Sequence, residues 1–84
     1  MNEEKRIYSL NLIAYLRAMS DIEGELHTDA ENGKIYAVFP ACYAVSVGIK
    51  QFRDSRATCE LHKFLSAYKA LREEIRQIKN MGDE

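Results

Sequence analysis

The sequence predicts an α+β domain, a small antiparallel sheet built on a β-hairpin and packed by two or three helices, the last of them long and amphipathic. Three observations carry this. Between Thr58 and Lys79 the residues Leu61, Phe64, Leu65, Tyr68, Leu71, Ile75 and Ile78 recur at three- and four-residue steps. At about 100° per residue that spacing puts them on one side of a helix. The pair Asn32-Gly33, suited to tight turns, separates two stretches that read as strands. Upstream, Ser9 stands where it can cap a short amphipathic helix.

In chain order, Lys5 to Tyr8 reads as a short strand. Ser9 follows at the N-cap position, its hydroxyl available to the first free amides of a helix that runs to about Met19. In that helix Leu12, Ile13, Leu16 and Met19 share one side, with Tyr15 at its margin. Asn11, Ala14, Arg17 and Ala18 lie elsewhere, the pattern of a single buried stripe. Asp21 to Asp29 and Lys34 to Phe39 then form the hairpin. In its second strand Ile35, Ala37 and Phe39 point one way and Tyr36 and Val38 the other. In its first, Glu23, Glu25 and His27 alternate with Ile22, Gly24, Leu26 and Thr28, which predicts a polar outer face.

Ala41 to Arg53 carries two periods at once. Ala41, Tyr43, Val45, Val47 and Ile49 alternate as in a strand, while Ala41, Val45, Ile49 and Phe52 repeat as in a helix. Pro40, well placed for a helix's first turn, and Phe52, which fits only the helical period, decide for helix. Val45, Ile49 and Phe52 then face inward and leave Tyr43 and Val47 outward, where exposed apolar neighbours make an interaction surface. Ser55 to Ala57 is expected as a short edge strand. Thr58 is expected to cap the final helix, with Glu60 near its positive end. That helix should organise the rest, with Leu65, Leu71 and Ile75 buried beneath the hairpin and the other helices.

A chain of 84 residues has room for one domain, residues 1–84, with an ordered core of about 5–79 and fraying at Met1 to Glu4 and Met81 to Glu84. Hydrophobic content of 46% beside 30% charged residues is that of a chain with enough apolar surface to offset its ordering entropy. The net charge of −1 argues against general adsorption to nucleic acid or membrane. Its distribution is uneven: residues 1–49 hold four Lys/Arg against seven Asp/Glu, and residues 50–79 hold eight against four. Cys42 and Cys59 lack the number and spacing of a disulfide framework and read as reduced, partly buried thiols, Cys59 as a small core residue. No apolar run suits a signal peptide behind the first charges, and none reaches the roughly 18 residues of a membrane span. The expected location is cytoplasmic.

The order of landmarks has a parallel. A short strand ending in a hydroxyl residue, a helix of the form Leu12-x-x-Tyr15-Leu16, a hairpin ending in Phe39, a helix closing with Phe52 and a final helix with Leu71-Arg72 together resemble a family of small bacterial and phage domains of unknown function, associated with mobile elements. The resemblance runs from about Arg6 to Lys79 and rests on hydrophobic and aromatic positions. The chain departs from it in having Ser20 where the family has a glycine, and in an unusually apolar second helix. What it implies is a compact α+β domain with no established activity.

Chemistry is sparse. Cys59 and His62 stand three apart, as neighbours on one helical surface, but only Cys42 and His27 remain to complete a zinc set. A Cys59 nucleophile would have His62 as base and no oxyanion site or orienting third group. The carboxylate pairs Glu23/Glu25 and Glu73/Glu74 sit in polar surroundings, unlike acid–base pairs whose environments separate their pKa values. Glycines at 24, 33, 48 and 82 are too scattered for a phosphate loop. No catalytic residue, metal or cofactor is therefore expected.

One feature stands out. Lys69, Arg72, Arg76 and Lys79 recur at three- and four-residue steps along a ridge of the final helix, and Lys50, Arg53 and Arg56 extend it if the second helix packs nearby. Such a ridge is either a solvated flank covering the core edge or a contact for phosphates or an acidic protein. The functional expectation is a non-enzymatic protein-interaction module, of the kind a phage or mobile element encodes as an inhibitor or regulator of a larger protein. Its contacts are expected at Lys69, Arg72, Arg76, Lys79, Tyr36, Tyr43 and Val47. The alternative is a nucleic-acid-binding accessory protein using the same ridge, and a homodimer is compatible with either.

Overall fold

In the computed structural model, which describes residues 4–55 and 57–82, six elements follow one another: β1 (Glu4–Ile7), α1 (Leu10–Ser20), β2 (Glu25–Thr28), β3 (Ile35–Pro40), α2 (Tyr43–Arg53) and α3 (Leu61–Gly82). The fold is α+β, an antiparallel three-stranded sheet with three helices. The strand order is β1-β3-β2, so β3 is central. Ile7 stands opposite Ala37 on one side, and His27 opposite Tyr36 on the other. Strand alternation does the rest. Ala37 and Phe39 point into the core, while Glu4, Arg6, Glu25, His27, Tyr36 and Val38 share the outer face, which is polar as expected.

The first strand of the hairpin is shorter than the sequence suggested, because the chain is turning where a strand was expected to begin, while the second has the expected length one residue later. Asp21 adopts a left-handed conformation and donates its N–H to the Arg17 carbonyl, closing α1, and Gly24 also has positive φ. A side chain is excluded at Gly24, where a Cβ would lie 2.8 Å from Phe39 Cζ. The turn is wider than a two-residue Asn-Gly connection. Asp29 donates to the Lys34 carbonyl, Gly33 donates back to the Asp29 carbonyl, and only Gly33 in that loop takes positive φ.

Helix α1 begins as expected, with the Leu12 amide donating to the Ser9 hydroxyl. Its burial is not a single stripe. Ile13, Ala14, Tyr15 and Leu16 are all buried, because α1 is flanked by both other helices while it covers the sheet. Segment 43–53 is helical, with Val45 inward and Ile49 and Phe52 half-buried. Pro40 does not start it. Pro40 ends β3 opposite Glu4, and a tight turn from the Cys42 amide to the Pro40 carbonyl delays the helix to Tyr43.

Helix α3 departs most from expectation. Leu71 is fully buried and Ile75 half-buried, but Leu65 is 51% exposed and Leu61 65%. Its backbone lies closest to α1, while Leu71 shares the core with Ala37 and Phe39 of the hairpin. The reason for the exposure is angular: the end of α1 reaches the first turns of α3, where Phe64 and Ala67 pack against the core, but Leu61 and Leu65 stand roughly 80° and 120° round the helix from Leu71 and fall on its flank. The cap also differs: Glu60, not Thr58, takes the amides of His62 and Lys63 on its carboxylate at 3.2 and 3.1 Å. No strand forms at Ser55 or Ala57, and Ser55 lies in a left-handed turn, while Arg56 lies outside the described residues. At the ends, Glu4 is paired in β1 and α3 continues past Lys79 to Gly82, whereas residues 1–3 and 83–84 lie outside the described part.

One core joins these elements: Ile7 from β1, Ile13, Ala14 and Leu16 from α1, Ala37 and Phe39 from β3, Val45 from α2 and Leu71 from α3. The principal extents of 41, 34 and 19 Å match a sheet with one layer of helices, and no element among the described residues packs on the other sheet face.

Candidate functional site

Relative to Leu71, whose side chain points into the core, the helical period turns Tyr68, Leu61 and Lys79 by roughly 60–80° and Arg72, Leu65, Arg76 and Lys69 by roughly 100–160°, all in the same direction. These residues form one flank of α3. Against the start of α1 at Leu10 this flank makes an open groove of about 1070 Å³, walled by Leu65, Tyr68 and Ile75 and by all four predicted cations, Lys69, Arg72, Arg76 and Lys79. The basic ridge and an apolar floor are therefore parts of one surface.

Its charge is only partly compensated. Arg76 forms an ion pair with Glu73 at 2.7 Å, both side chains largely exposed, and that carboxylate holds the Arg76 pKa above its ordinary value. The other nearby acid, Glu74, lies on the opposite flank of α3. There it takes both terminal nitrogens of Arg17 at 2.7 and 3.3 Å, with the Arg17 side chain 8% exposed, and ties α1 to α3. Lys69, Arg72 and Lys79 have no ion-pair partner among the described residues. A solvated pair such as Glu73–Arg76 adds little to stability, whereas three uncompensated cations set a local positive potential.

The other expected contact residues lie elsewhere. Tyr36 stands on the outer sheet face between His27, stacked at 5.7 Å, and Tyr8, at 5.2 Å between ring centroids, with the Arg6 guanidinium 5.1 Å from its ring. Tyr8 also donates to Asp29 at 3.1 Å. This cross-strand ladder faces away from the helices. Tyr43 is 86% exposed and Val47 half-buried, both on α2. Because α2 packs on α1 and has no comparable contact with α3 among the described residues, Lys50 and Arg53 do not extend the ridge. The seven predicted contacts thus fall on three surfaces, with the four cations together.

Leu10 and Leu65 belong to the groove and were not expected there. Leu65 was legible as a flank residue, since it stands roughly 120° from Leu71 on the helical wheel. Cys59 is exposed, not a core residue, and precedes α3, so it does not share a helical surface with His62. Cys42 is half-buried at the start of α2. Among the described residues no three His, Cys, Asp or Glu side chains converge to hold a metal ion, and no helix is long and apolar enough to cross a membrane. No protein-family model matches the chain, and no curated protein or solved structure matches it either.

Proposed function

We propose that this chain is a non-enzymatic, cytoplasmic protein-interaction module that holds a larger protein through the α3 groove, acting as an inhibitor or regulator by occupying that partner's surface. The observation that carries this reading is the union of exposed Leu61 and Leu65 with the cations Lys69, Arg72 and Lys79 on one helical flank. A polyanion would satisfy the cations and leave the aliphatic groups in water. A protein segment with both apolar and acidic side chains covers both, at about 25 cal/mol per Å² of apolar surface removed from water. The cations alone suit phosphates, which keeps a nucleic-acid-binding accessory protein as the second reading.

A photo-crosslinking residue in place of Leu65, in cells that make this protein, is expected to give protein adducts that disappear with Lys69→Glu plus Arg72→Glu. The same residue at Tyr43, on another surface, is expected to give none of those adducts. Submicromolar binding of oligonucleotides at about 0.15 M salt, abolished by removing the four ridge charges, would overturn this reading in favour of the second.

A further inference from the structure

We infer that the occupant of the α3 groove is an acidic amphipathic helix lying antiparallel to α3, with its carboxylates in its first turns and its aliphatic anchors toward its C-terminus. The inference rests on the protein-docking reading and adds the chemistry and polarity of the partner segment. Three features of the groove carry it.

The first is the secondary structure of the groove wall. Every lining residue lies on α1 or α3, whose backbone groups away from the helix ends are taken up within the helices, and no sheet edge lines it. An extended ligand would find no row of free amides and carbonyls to pair with, so its backbone would lose water without compensation. A helix brings its own backbone satisfied. The flank also presents Leu61, Leu65, Tyr68, Arg72 and Lys79 at helical steps, the ridge that another helix's groove accepts.

The second is the uneven distribution along α3. The exposed aliphatic residues lie in its first turns, Leu65 in the groove and Leu61 one turn beyond it; Lys69 stands next, and Arg72, Arg76 and Lys79 lie in its second half, Arg76 paired with Glu73. From the middle of the two leucines to the midpoint between Arg72 and Lys79 is roughly 19 Å along the axis. The partner therefore separates its apolar and acidic groups by about the same distance, over about 18 residues of helix.

The third is polarity. Carboxylates are stabilised in the first turn of a helix and disfavoured in the last. Acids that meet Arg72 and Lys79 therefore belong in the partner's first turns, so its N-terminus lies beside the C-terminal half of α3, and opposite dipole ends adjoin. A second copy of the chain does not fit. Its long helix offers the same cationic flank, and the acids Glu23, Glu25, Asp29 and Glu31 lie in its hairpin and not on a helix.

A displayed library of helical peptides of about 18 residues, with glutamate and leucine varied over both ends, tests this with the full chain as bait. Glutamates in the first two turns and leucines in the last two are expected to enrich. Isolated winners should bind the Lys69→Glu, Arg72→Glu variant at least roughly tenfold more weakly. Both replaced residues are exposed, and an unchanged urea midpoint would show that the variant's fold is intact. Enrichment of the reversed order, of both orders equally, or of nothing sensitive to that variant overturns the inference. The docking reading is judged separately by the crosslink at position 65, which survives if the occupant is a protein segment of another kind.

Discussion

Among the described residues of α3, Leu71 alone is wholly removed from water, and it lies in the core shared with Leu16 and Phe39. Leu71→Ala should therefore cost about 2–5 kcal/mol, enough to unfold much of a small domain, whereas Leu65→Ala should stay within about 0.5 kcal/mol because its side chain is half in solvent. Urea unfolding of the two variants checks this, and equal midpoints would contradict the assignment of core and flank. The Tyr8–Asp29 contact predicts a pH response at both extremes. Amide donation from Glu31 and the Tyr8 hydroxyl hold the Asp29 pKa below 3.8. Its contribution is present above that value and is lost as pH falls through the depressed folded pKa. Tyr8 is shifted the other way, raised above 10.0 by partial burial and by Asp29, so its contribution is present below pH 10.0 and lost as pH rises through the raised value. Titration of the Asp29 side chain by NMR should show the low pKa, moved upward in Tyr8→Phe. An unmoved value would mean the hydroxyl contributes nothing.

At the scale of elements, the seam between α1 and α2 is set by Gly48. A Cβ there would lie 2.6 Å from Leu16 Cδ2 and 2.7 Å from Met19 Cε. Alanine gains up to about 1 kcal/mol in helix propensity but overpacks a seam against fully buried Leu16 at about 1–3 kcal/mol. Gly48→Ala should lower the thermal midpoint, and a raised one would show that Leu16 and Met19 can yield. Elements whose signal is local were legible in the sequence: the Ser9 cap, the alternation of β3, the helical period through Phe52 and the spacing of the four ridge cations. What was not legible depends on partners. The burial of Ala14 and Tyr15 follows from α1 having a helix on each side, and the exposure of Leu61 and Leu65 from α1 covering only the part of the α3 stripe nearest Leu71. A periodic stripe states which face a helix can bury. The width over which it is buried is decided by what lies opposite.

For the molecule as a whole, stability should be graded from α1 and β3 outward. Native-state hydrogen exchange is expected to be slowest in Ile13 to Leu16 and in Ala37 to Phe39, and faster by more than roughly tenfold in both end turns of α3. End turns of α3 protected as long as α1 would mean that the long helix is held along its full length. The seating of Leu71 over Ile13 and Leu16 also has a consequence for synthesis. Leu71 follows Leu16 by 55 positions (71 − 16), so at about 5–20 residues per second the ribosome adds it roughly 3–11 s later. Throughout that interval α1 can be covered by the sheet and α2 but not by α3, so the nascent chain carries part of its aliphatic surface in water until the last helix is made.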